Sequence, residues 1–374
     1  MKQTVLRKYA KLIARMGANV QKDQDVIIYS RLDQPKFVEL LVDECYKAGA
    51  GKVTVEFSHQ PLYKLHVRHQ TVEKLAKVEK WEKARLRHYV NTLPCTISLV
   101  SDDPDGLKGI NQKKMAEADQ KSWPIVKPYY DAMENKNQWC IAAVPGAAWE
   151  AHNKDLHDRC AYLNSLGIAE LHYKGDNGTD LTVGMIPEGS FLGGQETTIS
   201  GLPFDANIPS EECYTSPMRG KAEGIVYATK PLSYNGELIE DFSVRFENGK
   251  AVEVKAGKNQ ALLEQMISMD EGAAYLGECA LVPVNSPIYE SGILFYETLF
   301  DENAACHLAL GMGFTNTIRG FENKTLKECR EMGINDSMEH NDFMIGYEGL
   351  DIDAVTRDGK TVPIFRRGRW AFEV

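Results

Sequence analysis

The sequence lacks any long apolar run, and its cysteines form no motif. No stretch approaches the roughly 18 consecutive apolar residues that span a bilayer, and the N-terminus mixes basic with apolar residues. We therefore expect neither a membrane-spanning segment nor a secretory signal peptide. The eight cysteines are spread singly without a CxxC pair, which argues against a zinc ribbon and against a disulfide framework. Reduced, mostly buried thiols and a cytoplasmic location are the simplest expectation.

Positive charge is outnumbered by negative charge. The chain has 43 Lys and Arg against 53 Asp and Glu, a formal net charge of −10. Such a chain lacks the basic surface that nucleic acids and anionic membranes require, so we expect neither as a partner. Glycine-rich phosphate loops of the GxGxxG and GKS/T types are missing as well, and we predict no nucleotide site.

The pattern of the first half is that of an α/β domain. A chain of 374 residues, 43% of them hydrophobic, is longer than one core usually supports, so two domains are expected. Apolar residues follow a helical spacing over 4–16, and short buried-strand runs occur at 26–29, 53–57 and 139–144. Strands separated by helices favour βαβ units and a largely parallel sheet.

After about residue 165 the pattern becomes that of an antiparallel α+β domain. Asn235-Gly236 and Asn248-Gly249 are hairpin turn signals between β-rich runs. We therefore predict an N-terminal α/β domain over 1–170 and a C-terminal mixed, mostly antiparallel domain over 171–374. Only the change in strand pattern places this boundary, anywhere between about 165 and 200.

Two of the nine histidines differ from the others. Seven lie within the first 172 residues, mostly among charged neighbours typical of a solvated surface. His307 and His340 are the only two in the C-terminal half, and each lies beside carboxylates. If the chain around His340 is a strand, His340 and Asp342 point to the same face and could share a metal ion. A hydrogen-bonded His–Asp pair would have the same spacing.

Three further segments carry acids in unusual surroundings. Glu278 lies inside an apolar strand-like run, where an unpaired carboxylate would need a cation or a strong donor. Two acids and an amide precede His307 in the segment 301–311, which could instead be a capped helix start. Segment 207–212 ends in two adjacent acids and reads in isolation as a loop or a helix start. Carboxylates and imidazoles from four segments together suit two divalent ions.

These same four segments resemble the signature blocks of the thermophilic metalloaminopeptidases, the aminopeptidase T and aminopeptidase S group. The blocks are Asn207-Ile208-Pro209-Ser210-Glu211-Glu212, Leu276-Gly277-Glu278, the run 301–311, and His340-Asn341-Asp342-Phe343-Met344-Ile345-Gly346. Their order and separations match as well. The resemblance is strong over about 170–374 and extends to the N-terminal half only in its general pattern.

The resemblance implies a metal-dependent aminopeptidase with a dinuclear site. By position, the metal ligands would be Glu212, Glu278, His307, His340 and Asp342, with Glu212 preferred over Glu211. Glu302 would be a further functional acid, acting as the general base, as a ligand or as a residue that orients a ligand. The resemblance also implies zinc, cobalt, manganese or magnesium ions and a peptide substrate with a free N-terminus. It implies a homodimer, in which the α/β domain helps to enclose a cavity.

One position departs from the family pattern. Relatives usually have a tyrosine where this chain has Phe314, and a phenyl ring cannot donate a hydrogen bond to a developing oxyanion. Another donor could substitute, and Tyr214, Tyr289 and Tyr296 are candidates from the sequence.

Phe314 also leaves two alternatives to a peptidase open. One is a mononuclear iron(II) dioxygenase built on His307, His340 and Asp342, although a single iron would not need Glu212 and Glu278. The other is a catalytically impaired, peptide-binding relative.

Overall fold

The computed structural model describes residues 3–32, 35–100, 107, 109–142, 149–194, 196–208 and 210–374. The strands are β1 (Asp25–Arg31), β2 (Lys52–Ser58), β3 (Cys95–Leu99), β4 (Trp139–Ala142), β5 (Ile168–Gly175), β6 (Asp180–Met185), β7 (Glu196–Thr197), β8 (Pro203–Phe204), β9 (Asn207–Ile208), β10 (Cys213–Thr215), β11 (Pro217–Tyr227), β12 (Leu232–Tyr234), β13 (Glu237–Glu247), β14 (Lys250–Lys258), β15 (Leu276–Leu281), β16 (His307–Gly311), β17 (His340–Met344), β18 (Leu350–Thr356), β19 (Thr361–Arg366) and β20 (Arg369–Trp370).

The helices are α1 (Gln3–Leu12), α2 (Pro35–Ala48), α3 (Gln60–His69), α4 (Val72–Leu75), α5 (Lys80–Thr92), α6 (Gln112–Met133), α7 (Trp149–Ser165), α8 (Gln260–Met266), α9 (Pro287–Ser291), α10 (Thr298–Asp301) and α11 (Leu326–Glu331). A π-helical turn, Ile13–Gly17, continues α1, and short 3₁₀ turns occur at Glu302–Ala304, Thr315–Thr317 and Phe321–Asn323. None of the helices in these described ranges has the length and apolar character needed to cross a membrane.

The chain divides into two compact units that are not contiguous in sequence. One comprises Met1–Trp149 and Gly194–Ser210, and the other comprises Glu150–Gly193 and Glu211–Val374. The predicted boundary between residues 170 and 171 falls inside β5, a strand of the second unit. The change in strand pattern could not locate the division, because α7 buries its apolar side chains in the core of the second unit.

The first unit contains a five-stranded parallel sheet in the order β2-β1-β3-β4-β9. Its core lies between this sheet and apolar side chains of α1 and α2, including Ile13, Val38 and Leu41. The predicted strands at 26–29, 53–57 and 139–142 are therefore confirmed, whereas 143 and 144 lie outside the described residues. Asn207-Ile208 was expected to be a loop or a helix start, but it forms β9 because Ile141 and Ala142 pair with it.

The second unit is antiparallel, as predicted. Its larger sheet runs β12-β13-β11-β6-β5-β18-β19-β20, and β14 pairs with β13. Both hairpin signals are confirmed, because Asn235-Gly236 and Asn248-Gly249 adopt the positive φ values that such turns require. A smaller four-stranded sheet in the order β10-β15-β16-β17 contains the segments that carry the candidate ligands.

Candidate metal centre

The four-stranded sheet presents the candidate ligands on one face and apolar side chains on the other. Residues in register on antiparallel strands project to the same side, and successive residues alternate. Glu278 pairs with Ala309, and Ala309 pairs with Asp342, so both acids lie on one face. His307 and His340 share that face through their register partners, Ala280 and Gly311. The small side chains between the polar ones leave room above the sheet.

The opposite face of this sheet is apolar. Cys279, Leu308, Leu310 and Phe343 alternate with the polar residues and belong to the buried core of the second unit. Cys279 and Cys306, which flank candidate ligands in the sequence, are both buried packing residues. Strand alternation therefore separates the reactive side chains from the hydrophobic core.

Five predicted site residues form two groups that share one carboxylate. Glu212, Glu278 and His307 form the first group, and Glu278, His340 and Asp342 form the second. Within each group the potential ligand atoms lie within 4.8 Å of one another. His307 Nε2 lies 3.1 Å from Glu212 Oε2, and His340 Nε2 lies 3.2 Å from both Glu278 Oε2 and Asp342 Oδ1. Glu278 is the acid common to both.

Backbone carbonyls orient both imidazoles. His307 Nδ1 lies 3.2 Å from the Ala305 oxygen, and His340 Nδ1 lies 2.8 Å from the Met312 oxygen. Since a carbonyl oxygen only accepts, each Nδ1 carries the proton in these bonds, and each Nε2 faces the carboxylates. This arrangement is typical of histidine ligands, whose second nitrogen is held by an outer partner.

The carboxylates are buried to an extent that isolated acids avoid. Glu212, Glu278 and Asp342 are only 4–5% exposed, and Glu302 is 8% exposed. Burial raises the pKa of Glu278 to about 7, helped by the charges of Glu212 and Asp342 and opposed by His340. Burial also raises the pKa of Glu302 well above its ordinary value, and the charges of Asp342, Glu212 and Glu278 add to this effect.

For the two imidazoles, burial and the neighbouring acids shift the pKa in opposite directions. Burial lowers the pKa of His307, but the hydrogen bond and charge of Glu212 outweigh this and raise it to about 9. For His340, burial is likewise outweighed by Asp342 and Glu278, so its pKa lies well above the ordinary value. Burial raises the pKa of Asp342, yet the adjacent His340 lowers it to about 2. In the absence of cations, protons on the imidazoles thus balance part of the negative charge.

The donor set fits divalent cations. Four carboxylates around two neutral imidazoles carry four negative charges, which two divalent ions would neutralise. Asp342 Oδ1 is buried, and its 3.2 Å contact with His340 Nε2 does not have the geometry of a hydrogen bond. A buried carboxylate oxygen without a donor is costly unless a cation occupies its lone pairs.

Glu302 and Glu211 are placed differently from the five clustered residues. Glu302 begins the 3₁₀ turn after α10, buried close enough to three site acids to be affected by their charges. Glu211 belongs to neither group of potential ligands, whereas its neighbour Glu212 contacts His307. This geometry favours the choice of Glu212 over Glu211.

Sequence reasoning missed two residues that support the site. Asn303 Oδ1 accepts a hydrogen bond from the Glu211 backbone at 2.5 Å, and Asn303 Nδ2 donates to the Leu299 oxygen. Ser286 Oγ lies 3.0 and 3.1 Å from the carbonyl oxygens of Asn303 and Ala304. The Asn303 contact with Glu211 joins the turn that carries Glu302 to the segment that carries Glu212, and Ser286 holds the same turn. The amide beside the acids at 301–302 was the available signal.

Phe314 contacts the site through its ring. Its centroid lies 4.9 Å from that of the His340 imidazole and 5.6 Å from that of Tyr214, which meets it nearly edge-on at 77°. Of the other two tyrosines considered, Tyr289 lies beneath the Lys230 ammonium and Tyr296 is 41% exposed. Tyr214 is thus the candidate that touches the predicted position.

Fold and donor set together fit a metal-dependent protein, with candidate carboxylate and imidazole ligands on one sheet face. The family profile described as thermophilic metalloprotease (M29) matches residues 2–149 and 145–370. The chain therefore belongs to this family. It is 37% identical to aminopeptidase AmpS of Bacillus subtilis (strain 168), over 98% of either chain.

Two solved structures resemble the chain to different degrees. Wild-type AmpT from Thermus thermophilus is similar with a TM-score of 0.87 and 35% identity, covering 99% of this chain and 100% of that one. The structure of 2,5-dihydroxypyridine dioxygenase from Pseudomonas putida KT2440 has a TM-score of 0.57 and 13% identity over 100% of this chain and 99% of that one, which shows a shared fold alone. The family and its relatives overturn the alternative of an iron(II) dioxygenase.

Proposed function

We propose that this chain is a metal-dependent aminopeptidase that releases N-terminal residues from peptides at a dinuclear site. Its family is one of metalloproteases, and the curated relatives are named aminopeptidases. The observation that carries the dinuclear proposal is the pair of ligand groups that share Glu278. A carboxylate common to two groups is suited to bridging two ions.

The proposed ligands divide between two ions. Glu212 and His307 would hold one ion, His340 and Asp342 would hold the other, and Glu278 is near enough to contribute to either. When bound, zinc, cobalt, manganese or magnesium ions would supply Lewis acidity and lower the pKa of a nearby water. The Ala305 and Met312 carbonyls keep both imidazoles turned toward this position.

Glu302 is the proposed general base. It accepts a proton from the attacking water and returns that proton to the leaving amine as the peptide bond breaks. Its support is its position, since it is buried beside Asp342, Glu212 and Glu278 without being in either ligand group.

Restriction to N-terminal residues needs a group that recognises a free α-amine. A carboxylate or a metal ion of the site would anchor this amine, and a carboxylate would do so through the positive charge of the protonated form. A blocked or acetylated N-terminus removes that charge, so we expect acetylated peptides to remain uncleaved.

Two further proposals concern the protein as a whole. A cytoplasmic location is supported by eight cysteines that are all free and buried, as in reducing compartments. A homodimer, in which the α/β unit helps to enclose a cavity, is supported only by the resemblance to relatives. Light scattering on the purified protein would test the dimer directly.

The deciding experiment combines metal analysis with hydrolysis of aminoacyl-nitroanilides before and after chelation. We expect two ions per chain, loss of hydrolysis on chelation and its return with added ions. His340→Ala should lose metal and activity together. His172→Ala is the matched control, because His172 pairs with Glu170 at 3.2 Å on the exposed surface of another sheet. Bound metal without hydrolysis of any free-amine substrate would instead indicate a catalytically impaired relative.

A further inference from the structure

The ligand face of the four-stranded sheet also carries a tyrosine. Tyr214 pairs with Ala280 across β10 and β15, and Ala280 pairs with His307 across β15 and β16. Paired residues project to the same side, so Tyr214 shares the face of His307. It also follows Glu212 by two positions, as a residue on the same side of an extended chain does.

The backbone of Tyr214 is held on both sides. Its N–H and carbonyl each form a 2.8 Å hydrogen bond with Leu192, and its other edge pairs with β15. The side chain is 8% exposed and lies outside the described hydrophobic clusters. A strand fixed on both edges directs a side chain more accurately than a loop does.

The ring of Tyr214 belongs to an aromatic corner beside the donor set. It meets Phe314 edge-on at 5.6 Å, and the Phe314 ring lies 4.9 Å from the His340 imidazole. Ser216, two residues after Tyr214, accepts a 2.8 Å hydrogen bond from the Phe314 backbone N–H. The corner is therefore fixed from the same segment that presents Tyr214.

Cleavage of an amide is helped by a hydrogen-bond donor beside the carbonyl oxygen, in addition to the Lewis acidity that bound ions would supply, and the proposed ligands, Glu302 and Phe314 offer none. Negative charge develops on the carbonyl oxygen, and carboxylates such as Glu278 and Glu302 would repel it. His307 and His340 bind backbone carbonyls through Nδ1 and face acids through Nε2, so neither offers a spare N–H. Phe314 has no polar atom. A phenol donates a hydrogen bond but carries no positive charge, so it does not compete with metal ions for the carboxylates.

We propose that Tyr214 is a catalytic residue that donates its phenolic O–H to the scissile carbonyl oxygen as charge develops there. This inference rests on the proposed peptidase function. The phenol keeps its proton throughout: water adds to the carbonyl carbon, the C–N bond breaks, and Glu302 carries the water proton to the leaving amine. Tyr214 only stabilises the charge that accumulates on oxygen.

The test removes the hydroxyl alone. Tyr214→Phe should lower kcat by about 10²- to 10³-fold, as loss of an oxyanion donor does, and leave KM within about threefold. Tyr162→Phe is the matched control, since it deletes a phenol that packs on Phe372 away from the site. Metal content of Tyr214→Phe should equal that of the wild type.

A binding measurement separates charge stabilisation from packing. A dipeptide analogue with a phosphinate in place of the scissile amide carries a negative tetrahedral oxygen. By calorimetry, Tyr214→Phe should bind it at least about tenfold more weakly, while affinity for the product amino acid stays unchanged. The double variant Tyr214→Phe/Phe314→Tyr returns a phenol to the same corner and should recover at least about tenfold in kcat over the single variant.

The outcomes distinguish this inference from the function on which it rests. A fully metallated wild type that cleaves no free-amine substrate defeats the peptidase proposal, and this inference with it. An active wild type with Tyr214→Phe equal to it in kcat and in phosphinate affinity overturns the role of Tyr214 alone. So does a Tyr214→Phe variant that has lost its metal, because the ring would then be a structural support.

Discussion

Two acids that contact the same imidazole differ in their pKa shifts. Glu278 and Asp342 both contact His340 at 3.2 Å, yet the pKa of Glu278 is raised to about 7 and that of Asp342 is lowered to about 2. Burial is the largest influence on both acids, but at Asp342 it is outweighed by the combined charges and hydrogen bonds of its neighbours, chiefly His340. Two carboxylates in one cluster can therefore have different protonation states before an ion binds.

Removing the acid function of Glu302 should affect turnover more than binding. Glu302→Gln keeps the size and most hydrogen bonds of the side chain but cannot accept a proton. We expect kcat to fall by about 10²- to 10⁴-fold with metal content unchanged, measured by nitroanilide hydrolysis and elemental analysis. Glu271→Gln, at a surface glutamate paired with Arg219, is the control and should leave kcat and metal content unchanged. Loss of metal in Glu302→Gln would instead identify Glu302 as a ligand.

The ion-free protein should become less stable as pH rises. Folding raises the pKa of His307 from 6.5 to about 9 and that of Glu278 from 4.5 to about 7. Between the two values of each group the folded state binds more protons than the unfolded state, so stability is lost as pH rises. The melting temperature of chelated protein should therefore fall between about pH 5 and about pH 9.

Bound ions should reverse this dependence. Ligands must lose their protons to bind a cation, so added zinc should stabilise the protein more at high pH than at low pH. Scanning calorimetry with and without the ion measures both effects. A melting temperature of chelated protein that rises across this range would contradict the assigned pKa shifts.

At the scale of elements, glycines allow the ligand strands to approach one another. A Cβ on Gly277 would lie 2.1 Å from the Met312 oxygen and 2.4 Å from the Gly311 oxygen. The same Met312 oxygen accepts the hydrogen bond of His340 Nδ1. The register between β15 and β16 also shifts next to Gly277, between Leu276 and Glu278. The backbone beside Glu278 thus depends on the absence of a side chain.

Gly277→Ala should therefore disturb the metal site through the backbone. The added methyl would displace the Met312 carbonyl and with it His340, and we expect metal affinity to fall by about 10- to 100-fold. Overpacking of this kind costs about 1–3 kcal/mol of stability. Gly257→Ala in β14 is the control, since its Cβ would meet a side-chain atom of Asp241 at 3.2 Å. Equal metal affinity in both variants would show that β15 tolerates the shift.

For the whole molecule, the candidate ligands all belong to one of the two units. The four-stranded sheet lies in the second unit, whereas the parallel sheet of the first unit carries none of the proposed ligands. An ion that binds only the folded second unit stabilises that unit by mass action, about 4 kcal/mol at a thousandfold excess over Kd. Metal binding is therefore expected to stabilise the second unit more than the first.

Hydrogen exchange should reveal this inequality. On chelation, amides of β15, β16 and β17 should lose protection, whereas those of β1 and β3 should change little. The comparison of holo and chelated protein by mass spectrometry measures both groups in one experiment. The opposite result, with equal loss in both sheets, would mean that the units unfold as one.

Sequence patterns predicted much of the fold but not its division into units. Local turn chemistry and apolar spacing predicted the parallel sheet, the antiparallel half and both Asn-Gly hairpins, because these depend on nearby residues. The path of the chain between the units was missed. Strand β9 has only two residues, and its pairing with β4 depends on a partner far away in sequence.

The candidate site, like the fold, was predictable from the sequence only in part. The sequence by itself determined the ligand types, their order and the isolation of His307 and His340 among acids, because these are properties of short segments. Only the tertiary structure decided that Glu278 is common to both groups, that Glu212 rather than Glu211 meets His307, and that Tyr214 lies against Phe314. Those facts depend on register between strands from distant segments, which long-range backbone pairing sets and local sequence does not encode.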